Sequence, residues 1–199
     1  FLENIRLDFE VIAQNKGVNF SIVRGENVLN SIIGDKLKLV QIIKNLLSNA
    51  LKFTEKGSIT LFINNLGRDK NKIKLEFKVV DTGIGISKNR QESIFESFMQ
   101  ASNQTSVKYG GTGLGLSISK SLLKLQGSDL NVESELGKGA TFSFIIDYKV
   151  SNRLNVFKPD MVKTQLSYEP LNVNVLVAED NKMNVLILKK FFSKWDVNY

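Results

Sequence analysis

Three polar side chains on one predicted helix are suited to bind a metal ion and a phosphate. Asn45, Asn49 and Lys52 stand at positions i, i+4 and i+7 of a segment with helical periodicity, so they lie within about 60° of one another. Asparagine carbonyl oxygens are hard, neutral ligands of the kind that Mg²⁺ accepts, and a lysine one turn away can contact a phosphate. Taken alone, this stripe also fits an ordinary solvated helix face.

A carboxylate followed by glycines ends a predicted strand, in the run Asp81-Thr82-Gly83-Ile84-Gly85. An ionised carboxylate at this point can accept a hydrogen bond from an exocyclic amine. Gly83 and Gly85 carry no Cβ and would let a flat ring approach the backbone. Taken alone, the run also fits an ordinary Asp-Thr-Gly turn.

A second glycine-rich run, Gly110-Gly111-Thr112-Gly113-Leu114-Gly115, opens a predicted helix. Small residues at the amino end of a helix expose backbone N–H groups and the positive end of the helix dipole to an anion. The run is not the dinucleotide-binding fingerprint, because no G-x-G-x-x-G register fits. It is not a P-loop either, because Leu116 stands where a lysine is required.

Two further patterns are ordinary when taken singly. The run Gly137-Lys138-Gly139-Ala140-Thr141-Phe142 predicts a hairpin turn entering a strand. Phe95 and Phe98, three residues apart, indicate packing in a core.

Both helical and extended segments are predicted along the first 150 residues. Apolar and charged residues alternate in the segment 72–80, as in a strand with one solvated face. Asp35 is expected to cap the helix that carries the polar stripe, and a polar turn is expected over 65–71. The predicted helices span residues 3–15, 35–53 and 113–125, and the predicted strands span 18–23, 58–64, 72–80, 129–134 and 140–148.

Composition excludes several classes of site. The chain of 199 residues is 42% hydrophobic and 24% charged, as in globular proteins, and it contains neither cysteine nor histidine. Disulfides, thiolate or imidazole metal sites, Ser-His triads and a phosphohistidine within this chain are therefore excluded. The net charge of +7 is spread evenly, so no nucleic-acid partner is predicted. Because the sequence begins without methionine, we interpret it as an internal segment of a longer protein.

The joint order of these motifs resembles the ATP-binding catalytic domain of sensor histidine kinases, within the GHKL (Bergerat) superfamily that also contains type II topoisomerases, mismatch-repair ATPases and a heat-shock chaperone. The resemblance covers residues from about 5 to 148. The matching segments are 45–54 for the N box, 81–85 for the first glycine box, 95–98 for the F box, 111–115 for the second glycine box and 137–141 for the third.

This resemblance implies a fold and a division into domains. The fold is a two-layer α/β sandwich, with a mixed, mostly antiparallel sheet and three helices on one face. The ATP-binding domain spans residues 1–150, and a linker with both prolines spans 151–172. Residues 173–199 resemble the truncated start of a receiver domain, in which Glu179 and Asp180 would form an incomplete Mg²⁺ site.

The resemblance also implies roles for particular residues. Asp81 would bind the adenine amino group, with Thr141 lining the same pocket, while Asn45 and Asn49 would hold Mg²⁺ and the phosphates. No residue is expected to act catalytically beyond positioning ATP, chiefly through Asn45 and Lys52. The full set implied for the nucleotide is Asn45, Asn49, Lys52, Asp81, Gly83, Gly85, Lys108, Gly111, Thr112, Gly113, Leu114, Gly115 and Thr141.

A lid over ATP is implied for residues 99–112, hinged by Phe95 and Phe98. This chain departs from the family pattern at two positions. Ser97 replaces the usual proline of the F box, and Val107 stands where many relatives carry arginine, which leaves Lys108 as the nearest lid cation.

The implied activity is transfer of the γ-phosphoryl group of Mg·ATP to a histidine on a dimerisation domain outside this chain. The implied partners are that domain and a receiver domain, either its own or a separate one, in a homodimeric hybrid kinase. The segment would be cytoplasmic, whether or not the parent protein is membrane-anchored. One alternative is a non-catalytic nucleotide-binding platform. The other, an ATPase of another branch, would need a catalytic glutamate in the first helix, and no acid occurs between Lys36 and Thr54.

Overall fold

The computed structural model describes residues 1–96, 113–150 and four helical positions near the carboxyl end: 185, 188, 189 and 192. The chain divides into two units, Phe1–Leu154 and Asn155–Tyr199. The proposed linker (151–172) and almost all of the segment 173–199 lie outside the described residues, so the division into domains stays a prediction.

Three α-helices form where the periodicity predicts them: α1 (Leu2–Lys16), α2 (Lys36–Phe53) and α3 (Gly115–Lys124). Asp35 caps α2 as expected, because its carboxylate accepts a hydrogen bond from the Lys38 backbone N–H at 3.1 Å. Helix α3 begins two residues later than predicted, since Gly113 has a φ of 69° and lies in the left-handed region. None of the helices within the described ranges is long and apolar enough to cross a membrane.

The strands form one mixed sheet. They are β1 (Val18–Arg24), β2 (Ile32–Ile33), β3 (Gly57–Arg68), β4 (Lys72–Asp81), β5 (Asn131–Ser134) and β6 (Ala140–Val150). The order is β1-β3-β4-β6-β2, and β5 also pairs with β6. Only the β1–β3 pair is parallel among these described strands, which confirms the predicted mixed, mostly antiparallel sheet.

Two features of the sheet differ from the sequence prediction. Strand β2 was not predicted, because a strand of two residues is too short to show an alternation of apolar and polar side chains. It pairs only with the end of β6. The predicted turn over 65–71 is mostly strand, since β3 continues beside β4 as far as Arg68 across a bulge between Asn65 and Gly67. The Asn65 side chain accepts the Gly67 N–H at 3.0 Å within this bulge.

One face of the sheet and the apolar faces of the helices share a single core. Alternate residues of β3, β4 and β6 are buried, and the Phe77 and Phe144 rings stack 5.0 Å apart across the β4–β6 pair. Burial of each large aliphatic side chain contributes about 1.5–3 kcal/mol. The largest fully buried side chains are Phe144, Ile5, Ile42, Ile43, Leu46, Leu47, Ile59, Leu61, Ile63, Ile73, Leu123 and Val79.

The carboxyl end of α2 is held by contacts from outside the helix. The ammonium of Lys16, the last residue of α1, donates to the backbone carbonyl of Leu51 and, at 3.3 Å, to that of Lys52. A cation at this end of a helix satisfies orphan carbonyls and complements the helix dipole. The fold thereby secures the part of α2 that carries Lys52, beside the end of β4 that carries Asp81.

Candidate functional site

Asn45 joins helix α2 to the start of α3, which lies 70 residues later in the chain. Its Nδ2 donates to the Gly115 carbonyl at 3.2 Å and to the Ser119 hydroxyl oxygen at 3.2 Å. Because a backbone carbonyl can only accept, the amide nitrogen must face α3, and the Oδ1 oxygen takes the other side of the carboxamide. The structure thus brings the asparagine stripe and the second glycine box together, as the sequence predicts.

The loop after Asp81 lies against the carboxyl end of α2. The Ile84 N–H donates to the Phe53 carbonyl at 3.2 Å. A Cβ added to Gly83 would lie 2.4 Å from that carbonyl oxygen and 2.9 Å from Asp81 Oδ1. Lys52 lies in the same region, with its Nζ 5.0 Å from the centroid of the Phe53 ring. The first glycine box therefore adjoins the polar stripe of α2.

The third glycine box interlocks with the first. A Cβ on Gly139 would lie 1.9 Å from the Asp81 carbonyl oxygen, and Gly139 has a φ of 87°. The Gly137 N–H donates to the Ile84 carbonyl at 2.7 Å. The Ser134 hydroxyl accepts from the Ile86 N–H at 2.8 Å and donates to the Gly139 carbonyl at 2.6 Å. Both loops are therefore fixed around the end of β4.

The Asp81 carboxylate is buried, with 6% of the residue exposed. Its burial raises its pKa above the ordinary value, while hydrogen bonds from the backbone N–H groups of Gly83 and Ala140 lower the pKa in part. The Gly83 N–H lies 2.8 Å from Oδ1. None of the ion pairs in the described part of the chain includes Asp81. The group is thus a buried acceptor suited to a neutral donor such as an exocyclic amine.

The structure does not bring Thr141 together with Asp81. In the β4–β6 register Asp81 pairs with Ala140, and Thr141 pairs with Val80. Successive side chains of a strand point to opposite faces, so the Thr141 side chain lies on the face away from the core. Ala140, which is buried, takes the place beside Asp81 that the resemblance implied for Thr141.

Some of the remaining predicted residues are described by the structure, and the others lie outside the described ranges. Gly85 is described, and a Cβ there would lie 2.0 Å from the Glu135 carbonyl oxygen. Asn49 is half-buried one turn after Asn45, and Leu114 is the residue before α3. The Phe95 ring lies 4.5 Å from Lys120 Nζ. Outside the described residues lie Ser97, Phe98, Val107, Lys108, Gly111, Thr112, the rest of the predicted lid, Glu179 and Asp180.

Sequence reasoning missed three residues that support the site. Ser119 contacts Asn45, Ser134 joins two glycine boxes, and the Gln91 side-chain amide donates to the Ser134 carbonyl at 2.7 Å. Of these three residues, only Ser119 could have been suspected from the sequence. It follows Gly115 by four residues and so lies one turn later on the same helix face. Ser134 and Gln91 carry no local signal, because their contacts are made only by tertiary packing.

The donor set bears on which metal this site could accept. Within residues 1–96, 113–150 and the four later positions, no group of three or more His, Cys, Asp or Glu could hold a metal ion. The Asn45 amide nitrogen is already engaged, which leaves its neutral Oδ1 oxygen as a ligand. Mg²⁺ takes such oxygens while it keeps waters and phosphate ligands, so the residues present fit Mg²⁺ bound with a phosphate.

Gly83→Ala is expected to destabilise the domain by about 1–3 kcal/mol, because its Cβ would meet the Phe53 backbone at the end of α2 and the Asp81 carboxylate. Gly67→Ala is the matched control, since a Cβ there would have no heavy atom within 4 Å and neither glycine has a positive φ. Urea unfolding followed by circular dichroism measures the difference. Equal midpoints for the two variants would contradict the close approach of Gly83 to α2.

Comparisons with known proteins identify the relatives of this chain. A family model described as "Histidine kinase-, DNA gyrase B-, and HSP90-like ATPase" matches residues 34–150. The autoinducer 2 sensor kinase/phosphatase LuxQ of Vibrio vulnificus (strain YJ016) is 37% identical over 199 residues, which cover 99% of this chain and 23% of LuxQ. The signal transduction histidine-protein kinase BarA of Escherichia coli (strain K12) is 36% identical over 147 residues, which cover 74% of this chain and 16% of BarA.

A solved structure shares the fold. The crystal structure of full-length ShkA in complex with AMPPNP matches with a TM-score of 0.64 and 32% sequence identity, over 75% of this chain and 30% of ShkA. The chain therefore spans less than a quarter of LuxQ and of BarA and less than a third of ShkA.

Proposed function

Because the chain belongs to the histidine kinase-, DNA gyrase B- and HSP90-like ATPase family, we propose that it is the ATP-binding catalytic domain of a hybrid sensor histidine kinase. One observation supports this proposal: segments that are far apart in the chain all contact α2 or the end of β4, Gly115 at Asn45, Ile84 at Phe53 and Gly139 at Asp81. The relative ShkA, whose structure contains AMPPNP, supports a nucleotide as the ligand.

Asp81 is the proposed adenine anchor. Its carboxylate is held by the Gly83 and Ala140 N–H groups and accepts the exocyclic amino group of adenine. Gly83 and Gly139 let the two loops pack directly on the backbone of Phe53 and of Asp81, which fixes the chain around this carboxylate. Guanine carries an oxygen at the corresponding position, which a carboxylate disfavours.

Asn45, Asn49 and Lys52 are proposed to hold Mg²⁺ and the phosphate chain. When bound, Mg²⁺ would neutralise phosphate charge that develops during transfer. Gly113 and Gly115 present backbone N–H groups near the amino end of α3, where an anion is stabilised by the helix dipole. We propose that Gly111, Thr112, Leu114 and Lys108 add contacts from the same loop.

The proposed reaction is transfer of the γ-phosphoryl group to a histidine. An imidazole nitrogen attacks the γ-phosphorus, a P–N bond forms as the bond to the bridging oxygen breaks, and ADP leaves. The protein mainly positions and stabilises the phosphates in such a transfer. Since this chain has no histidine, the acceptor belongs to a dimerisation domain outside it.

We also infer that residues 173–199 begin a receiver domain, with Glu179 and Asp180 as part of an incomplete Mg²⁺ site. The match to LuxQ covers 99% of this chain and so extends into this segment. The parent would then be a homodimer that passes phosphate from histidine to aspartate. Because its substrate is ATP, the domain would work in the cytoplasm.

Incubation of the full-length parent with γ-³²P-labelled ATP tests this function. We expect a label that is stable in base and labile in acid, as a phosphohistidine is, whereas this chain alone should bind a fluorescent ATP analogue without becoming labelled. Binding without labelling of the parent would instead identify a non-catalytic platform. Steady release of inorganic phosphate by this chain alone would identify an ATPase of another branch.

A further inference from the structure

Ser119 is the buried polar side chain that contacts the asparagine stripe directly. The residue is 0% exposed on α3. Its hydroxyl donates to the Gly115 carbonyl at 2.9 Å and accepts from Asn45 Nδ2 at 3.2 Å. Asn45 Nδ2 also donates to the Gly115 carbonyl at 3.2 Å. The three groups therefore form a closed set of three hydrogen bonds.

The Asn45 amide nitrogen reaches both acceptors on the same side of the carboxamide. The Gly115 carbonyl oxygen and the Ser119 hydroxyl oxygen lie 2.9 Å apart and each lies 3.2 Å from Nδ2, so together they fix the amide nitrogen toward α3. Rotation of the carboxamide by 180° would place Oδ1 against the Gly115 carbonyl oxygen, where neither atom can donate. In the observed orientation Oδ1 lies 3.9 Å from the point where a Cβ on Gly115 would stand, beside the start of α3.

Two acceptors hold the carboxamide more firmly than one. Without the Ser119 hydroxyl, Asn45 Nδ2 would keep only the Gly115 carbonyl as an acceptor, and that carbonyl would lose one of its two side-chain donors. The carboxamide could then turn at lower cost, and its Oδ1 would spend less time in the orientation that a metal ion requires.

We propose that Ser119 is a positioning residue that orients the Asn45 Oδ1 oxygen for Mg²⁺ bound with the nucleotide, a role that rests on the proposed function above. Ser119 acts through Asn45 and touches neither the metal nor the phosphates. A serine in a helix often bonds to the carbonyl four residues earlier for its own satisfaction. The contact to Asn45 is what distinguishes Ser119 from such a serine.

Helix α3 contains a matched control for this contact. Ser117 also bonds back to a nearby backbone carbonyl, with its hydroxyl 2.9 Å from the carbonyl oxygen of Leu114, the residue before α3. No hydrogen bond joins Ser117 to Asn45 among the described residues. Ser117→Ala therefore removes a comparable local hydrogen bond and leaves the orientation of Asn45 intact.

The experiment titrates Mg²⁺ into the chain at a fixed concentration of a fluorescent ATP analogue, and repeats the nucleotide titration in EDTA. We expect Ser119→Ala to raise the Mg²⁺ concentration at half-saturation about tenfold, equivalent to about 1.4 kcal/mol, with little change in EDTA. Ser117→Ala should change neither value, and Ser119→Thr, which keeps the hydroxyl, should retain most of the wild-type Mg²⁺ dependence.

A second measurement separates this inference from the proposed function. In ¹⁵N NMR spectra without nucleotide or metal, Ser119→Ala should shift the side-chain amide signals of Asn45, and Ser117→Ala should leave them in place. Loss of Mg²⁺-dependent nucleotide binding in the wild type itself would contradict the proposed function. Wild-type Mg²⁺ dependence and unmoved Asn45 signals in Ser119→Ala would overturn the role of Ser119 alone.

Discussion

Asp81→Asn is expected to weaken ATP binding by about 100-fold or more, while the domain without nucleotide stays folded. The Asp81 carboxylate supplies acceptors to the N–H groups of Gly83 and Ala140 and, in the proposed site, to the adenine amino group. An Asn has one oxygen for all three donors. Its amide N–H groups would therefore face the adenine amine, and donor would meet donor.

The same substitution should change how stability depends on pH. Because burial raises the pKa of Asp81 in the folded state above its ordinary value of 3.8, the folded form binds the proton more tightly than the unfolded form. Stability from this group is therefore fully present below about pH 3.8 and falls as pH rises through the raised pKa. At neutral pH Asp81→Asn should be at least as stable as the wild type, and this advantage should vanish in acid.

Titration with a fluorescent ATP analogue and urea unfolding between acid and neutral pH measure both effects. Asp147→Asn is the control, because Asp147 is an exposed acid further along β6, across from Lys74 on β4. Retained ATP affinity in Asp81→Asn would refute the purine anchor. A variant that is much less stable than the wild type at neutral pH would show that the carboxylate serves the fold instead.

Asn49→Asp is expected to weaken Mg·ATP binding strongly without unfolding the domain. Asn49 lies half-buried on α2, one turn after Asn45, so water can still solvate a charge there when no nucleotide is bound. An aspartate can only accept hydrogen bonds, and its negative charge opposes the triphosphate in a partly dehydrated site. We expect the affinity to fall by about 100-fold, the effect of about 2.7 kcal/mol.

The control for the added charge is Asn19→Asp, an exposed position on β1. Fluorescent-nucleotide titration reports binding, and circular dichroism reports the fold. If Asn49→Asp binds Mg·ATP as tightly as Asn19→Asp, then Asn49 does not belong to the site. A loss of helical signal in Asn49→Asp would assign the effect to folding.

Local patterns sufficed to predict most of the fold. The apolar period of α2, its Asp35 cap and the alternation along β4 are properties of neighbouring residues, and the structure has each of them. The order of the glycine boxes was enough to identify the family, because each box is a contiguous sequence motif that can be recognised without knowing how the chain packs.

The sequence by itself determined most of the elements and the family, but only the tertiary structure decided which side chains lie next to one another at the candidate site. Ala140 rather than Thr141 lies beside Asp81, since the pairing register of β4 and β6 determines which face each residue takes. Ser119 reaches Asn45 because α2 and α3 pack together, and Ser134 joins two loops for the same kind of reason. Such contacts connect residues that are distant in the chain. They could not be predicted, because the period of apolar residues shows only which face of its own helix or strand a residue occupies.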